Sequence, residues 1–79
     1  MIAMQFVEVG QRVRYIRKES KYRNIDWPED AWIEYGITGT VTEFRPQFYE
    51  MEPWAVVAWD NGGQTAIDGD AEGEVWEKI

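Results

Sequence analysis

Fifteen carboxylates, eight Lys or Arg, no His and no Cys set the chemistry open to this chain of 79 residues. Without His there is no ready general base near neutral pH, and without Cys no thiolate nucleophile, so catalysis would have to run on carboxylates, Lys or Tyr. Glu50, Glu52, Asp68 and Glu72 can be drawn as glycosidase-like pairs, but among fifteen acids such pairs arise by chance. A domain this small also offers little room for a pocket of ~300 Å³, the lower end for ligand sites. The expectation is a non-catalytic protein, with no catalytic residue and no cofactor, whose carboxylates are solvated surface groups.

Residues 68–74 invite a metal test. Asp68, Asp70 and Glu72 alternate as oxygen ligands do in a calcium loop, and Gly73 falls at the sixth position, where that loop turns sharply. The match then fails, because the twelfth position is Ile79, where a bidentate Glu is required, and no flanking helices are expected. An acidic turn without a resident metal is the reading adopted.

The charge is polarised along the chain. Residues 1–23 carry Arg12, Arg14, Arg17, Lys18, Lys21 and Arg23 against Glu8 and Glu19, a balance of +4, whereas residues 24–79 hold thirteen acids against Arg45 and Lys78, a balance of −11, and +4 − 11 = −7. Such a molecule attracts cationic surfaces and repels phosphate over long range. The basic segment interleaves cations with Tyr15 and Tyr22, the mixture of phosphate contacts and stacking platforms used by single-strand binders. Neutralisation of neighbouring carboxylates is the stronger reading of those cations, so direct nucleic-acid binding is not expected and a protein with a basic surface is the expected partner. The candidate acids for that contact are Glu29, Asp30, Glu34, Glu50, Glu52, Asp68, Asp70, Glu72 and Glu74.

Five Trp, four Tyr and three Phe are many for this length. A chain so short buries only about 60–65% of its unfolded surface, and each buried aromatic removes roughly 150–250 Å² from water. Trp54, Trp59 and Trp76 lie in expected strands and belong to the core or its edge. Tyr22, Trp27, Trp32, Tyr35, Phe48 and Tyr49 lie in loops, where they could form a groove for a polyproline segment, cage a methylated lysine beside acids, or seal the open end of a small barrel.

The elements that must position these groups read as all β. Residues 11–16 alternate, with Val13 and Tyr15 on one face and Arg12 and Arg14 on the other. No period persists over residues 17–35, a long first loop pinned by Trp27 and Trp32, in which residues 28–32 could form one helical turn behind Pro28. Residues 37–44 place Ile37, Gly39 and Val41 on one face and Thr38, Thr40 and Thr42 on the other. A second loop leads past Pro53 to residues 54–59, apolar on both faces and expected to be the central strand. Asp60-Asn61-Gly62-Gly63 is the strongest turn signal, so residues 64–67 return antiparallel, and residues 75–79 alternate again as a closing strand. The sum is one small five-stranded SH3-like barrel spanning residues 1–79.

The segment Val13-Arg14-Tyr15-Ile16-Arg17-Lys18-Glu19-Ser20, followed by Gly39-Thr40-Val41 and then an apolar strand, resembles the SH3-like family. That family includes the photosystem I accessory subunit PsaE, the variable chain of ferredoxin-thioredoxin reductase and the nitrile hydratase β-chain. The resemblance covers about half the chain and implies a fold and a non-catalytic accessory module that docks on a larger partner; it implies no role of its own. The long excursion around Trp27 to Tyr35 and the acidic stretch at 68–74 depart from the family pattern.

Neither a charged leader with an apolar stretch nor a run of 18 apolar residues is present, so a cytoplasmic protein that does not enter a membrane is expected. Two readings remain: an acidic, aromatic docking module, or a phage-type inhibitor that mimics DNA, as anti-defence and anti-CRISPR-like proteins do, and blocks a nucleic-acid-binding protein. A mimic needs its carboxylates on one contiguous face. A module needs an aromatic groove with acids at its rim.

Overall fold

The computed structural model describes residues 5–46 and 52–79. Phe48, Tyr49 and Glu50 lie outside the described residues. Five strands, β1 (Arg12–Tyr15), β2 (Thr38–Arg45), β3 (Trp54–Trp59), β4 (Gln64–Asp68) and β5 (Trp76–Lys78), form one antiparallel sheet in the order β4-β3-β2-β1-β5. The sheet curls strongly into a half-barrel, and a single 3₁₀ turn, Gly69–Ala71, separates β4 from β5. The all-β reading therefore stands.

β2, not β3, is the middle strand of the five, β3 lying between it and the edge strand β4. Its start pairs with β1 through Thr38, Gly39 and Thr40, and Gly39 to Arg45 pair with β3. The register slips between Val41 and Glu43, a bulge that bends the strand. Its effect on facing is visible in the core: Gly39 and Val41 point inward, and one residue out of phase so does Phe44. A regular strand would have sent Phe44 to solvent.

The inward residues of the five strands, Val13, Val41, Ala55, Val57, Trp59, Ile67 and Trp76, pack with Val7 and Ile33 into one core. Both buried indole N–H groups have acceptors: Trp59 Nε1 donates to Thr65 Oγ1 at 2.8 Å and Trp76 Nε1 to the Asp68 carbonyl at 2.8 Å. That satisfies the only polar atoms these rings carry.

The hairpin at 60–63 is a three-residue loop. Gly62 N–H donates to the Trp59 carbonyl, Trp59 N–H to the Gly63 carbonyl, and Gly62 has φ +100°. The turn is closed by a residue in the left-handed region, which glycine adopts without a side-chain clash. Asn61 is left to bridge, its Oδ1 accepting from Gly63 N–H and its Nδ2 donating to the Trp32 carbonyl at 2.7 Å.

The long first loop is more ordered than its sequence suggests. Tyr22 and Ile33 form an antiparallel bridge, each N–H donating to the other's carbonyl at 3.0 and 2.8 Å, which folds the loop into an arm. Ile33 anchors the arm in the core and Ala31 is fully buried. The helical turn expected at residues 28–32 is instead a tight turn, with Ala31 N–H on the Pro28 carbonyl at 3.0 Å. The return of the chain to the Ile33 bridge leaves no room for a second helical bond.

Gly39 gives the most stringent packing test. A Cβ there would lie 2.7 Å from Val57 Cγ1, 2.8 Å from Trp59 Cε3 and 2.9 Å from the Ala58 carbonyl oxygen. Since a backbone atom is among the neighbours, Gly39→Ala is expected to lower unfolding free energy by about 1–3 kcal/mol, the usual cost of overpacking. Chemical denaturation checks this, and an unchanged midpoint would count against the close β2–β3 approach.

Candidate functional site

Two cations of the basic segment are ion-paired within the fold and three lie on aromatic rings. Arg12, on the outer face of β1, reaches across β2 to the start of the β3–β4 turn and grips Asp60 with both guanidinium nitrogens, at 2.9 and 2.7 Å. The same two nitrogens donate to Thr40 Oγ1 at 2.8 Å and Thr38 Oγ1 at 3.1 Å, and Thr38 Oγ1 donates to Asp60 Oδ2 at 2.5 Å. The Arg12 guanidinium and then the Thr38 hydroxyl stabilise the Asp60 carboxylate and lower its pKa to about 2. Arg14 pairs with Glu77, Arg45 with Glu43 and Lys78 with Glu72.

The arm's own cations lie on aromatic rings. Lys21 Nζ sits 4.8 Å and Arg23 Cζ 5.8 Å from the centre of the Trp32 ring, and Lys18 Nζ 5.3 Å from that of Tyr35. Arg23 also donates to the carbonyls of Trp27 and Pro28. Of the six loop aromatics nominated by sequence, Trp27 packs against the core and stands edge-on to Tyr22, with ring centres 5.3 Å apart. Trp32 and Tyr35 carry the chain's own cations, while Tyr22 and Tyr35 remain 50% and 54% exposed. Closure of the barrel and a solvent-facing aromatic surface are thus divided among them. Lys18, Glu19, Ser20, Lys21, Glu34 and Tyr35 border an open hollow of about 330 Å³ of mixed charge.

The nominated acids behave differently. Among the described residues, Glu29, Asp30, Glu34, Glu52, Asp68, Asp70 and Glu74 make no ion pair; Glu72 has one, at 4.0 Å from Lys78. Glu52, Asp68 and Asp70 meet around a second concavity of about 180 Å³, with Phe6, Pro53 and Gly69 completing its wall. Asp68 is held there because its Oδ1 accepts from Ala71 N–H at 2.9 Å and caps the 3₁₀ turn. No group of three or more acids among the described residues is arranged to hold a metal ion. Neither sequence spacing nor composition puts Glu52 beside Asp68 and Asp70; the Trp54–Asp68 pairing at the end of the β3–β4 ladder does.

The remaining acids lie elsewhere. Glu29 and Asp30 follow Pro28, whose ring abuts Gly62 at the turn end of the β3–β4 hairpin. The concavity lies at the other end, about 17 Å along β3 at 3.4 Å per residue. Between them β4 carries Gln64, Thr65, Ala66 and Ile67, none of them charged. Among the described residues no helix is long and apolar enough to cross a membrane.

Asp60 yields a pH signature. Its pKa in the folded state lies below the ordinary 3.8, so its contribution to stability is present above that value and is lost as pH falls through about 2. Asp60→Asn is expected to flatten the dependence of unfolding free energy on pH across that window while leaving the dependence above it unaltered. Urea denaturation at a series of acid pH values checks this, and an unchanged acid limb would mean that the Arg12 grip does not persist in solution.

Comparison with protein-family models, with curated proteins and with solved structures finds no match to this chain.

Proposed function

We propose that the chain is a non-catalytic interaction module that docks on a larger protein through acidic and aromatic surface, the partner presenting a basic face. The observation that carries this reading is the unequal use of charge. Of the six cations of residues 12–23, Arg12 and Arg14 pair with carboxylates and Lys18, Lys21 and Arg23 lie on rings, whereas most nominated acids have no ionic partner among the described residues and the chain as a whole carries −7. The exterior field is therefore set by carboxylates, which speeds encounter with a basic surface and discourages phosphate.

The architecture is consistent with that role. A strand order of β5-β1-β2-β3-β4, a long arm after the first strand, a bent second strand and a 3₁₀ turn before the last are compatible with an SH3-like barrel. The likeness is one of fold and carries no function by itself. Tyr22 and Tyr35 supply aromatic contact area on the arm. DNA mimicry needs one continuous acidic face, and the uncharged run of β4 between the Glu29–Asp30 pair and the Glu52–Asp68–Asp70 group favours the docking module over it.

The test is capture of proteins from a lysate of the source cells on the immobilised chain, at low and then high salt, beside the double variant Glu52→Lys, Asp70→Lys. The variant leaves the Asp68 cap and the Glu72–Lys78 pair in place. With a captured partner, association at low salt is expected to slow on the order of tenfold while dissociation stays within roughly twofold, the pattern of electrostatic steering. Equal association by both chains, insensitive to salt, would sink the proposal.

A further inference from the structure

An open half-barrel has two edge strands, and they are not equally protected. β5 is three residues long, carries Lys78, and is shielded by the Glu72–Trp76 bridge, in which Gly73 N–H donates to the Trp76 carbonyl at 2.8 Å. Short length, charge and a covering segment are the usual means of blunting an edge. β4 is longer, its one charge, Asp68, stands at its far end, and no backbone bond covers Gln64 or Ala66 among the described residues. Its five residues, Gln-Thr-Ala-Ile-Asp, include no Lys, no Pro and no bulge.

The register shows which backbone groups β4 leaves free. Trp59 N–H donates to the Gly63 carbonyl, so Trp59 and Gly63 face each other as a hydrogen-bonded pair. Alternation makes Val57–Thr65 and Ala55–Ile67 hydrogen-bonded as well, and the pairs Ala58–Gln64, Val56–Ala66 and Trp54–Asp68 the intervening kind. The N–H and C=O of Gln64, Ala66 and Asp68 therefore point away from β3. The Asp68 carbonyl is used by Trp76 Nε1, while Gln64 and Ala66 have no backbone partner on that side among the described residues, and both residues are exposed. The edge runs straight into the concavity of Glu52, Asp68 and Asp70, whose wall also contains Phe6 and Pro53.

We propose that β4 accepts an extended segment of the partner protein as a sixth strand, and that a Lys or Arg of that segment seats in this concavity. The proposal rests on the docking reading above and specifies its chemistry. Main-chain bonds to Gln64 and Ala66 give the pairing, and the acidic concavity at the end of the edge selects register and charge. The aliphatic stem of Lys or Arg lies along Phe6 and Pro53 while its cationic head meets the three carboxylates. A second copy of this chain is a poorer occupant, since each copy carries −7 and would bring its own acids to the contact.

The probe is an array of peptides of about ten residues, the upper length of common strands, alternating Thr and Val with one Lys or Arg walked through every position. Binding is expected only for a subset of cation positions. The best member should slow amide exchange at Gln64 and Ala66, and N-methylation of its alternate amides should weaken binding at least roughly tenfold. Ala66→Pro removes an outward N–H without touching the β3 ladder, a placement edge strands tolerate, and is expected to weaken binding to a similar degree with the fold retained by circular dichroism. Glu52→Gln with Asp70→Asn should abolish the preference for cation position.

Equal binding of N-methylated and unmodified peptides, or binding to no member of the array, overturns strand addition. If the Glu52 and Asp70 substitutions still impair capture of the partner in that case, docking through acids stands and only the edge mechanism fails; if they do not, both fall. Self-association in sedimentation that Ala66→Pro abolishes would assign the edge to a second copy and overturn the proposal.

Discussion

The burial of Trp76 is the constraint on which the rest of the structure depends. β4 and β5 are the two ends of the sheet and do not pair with each other, so backbone bonds alone leave the half-barrel open. Trp76 is completely buried at that gap, with Phe6 against its ring at 5.8 Å between centres and its Nε1 on the Asp68 carbonyl. One side chain thus links the last strand to the end of the fourth while filling the core. A domain of this size has few apolar residues to spare, and a single large ring does what several aliphatic side chains would do in a larger one.

That linkage bears directly on the acidic concavity. The Asp68 carbonyl is held by Trp76 and the Asp68 carboxylate caps the 3₁₀ turn that carries Asp70. Two of the three acids are thereby placed by hydrogen bonds at the junction between the fourth strand and the last. Glu52 enters at the foot of β3, where Trp54 pairs with Asp68. Carboxylates set by the frame, with no ionic partner among the described residues, present a fixed field to solvent, which is the property a docking surface requires.

The turn end of the β3–β4 hairpin follows a different logic. Arg12 binds β1, β2 and the β3–β4 turn together through Asp60, Thr38 and Thr40, and the arm's cations lie on Trp32 and Tyr35. Basic groups that could have suggested a phosphate site are here in contact with acids and rings of the same chain. Exposed ion pairs of this kind contribute modestly to stability, but they remove positive charge from the set available to partners.

Much of the fold was legible because strand alternation and turn chemistry are local. The outward Arg12 and Arg14, the Thr face of β2, the apolar β3 and the Asp60–Gly63 turn depend on neighbours within a few residues. The bulge between Val41 and Glu43 was not legible, since residues 37–44 read as one regular alternation. The arm's bridge between Tyr22 and Ile33 was not readable, because no period marks it and both partners depend on Ile33 reaching a core built by distant strands. Sequence by itself determined an all-strand chain with a polarised charge and too many acids to ignore. Only the tertiary structure decided which of those acids meet and which cations are spent, because curling the sheet brings residue 52 to residues 68 and 70 and residue 12 to residue 60 across separations that no local pattern encodes.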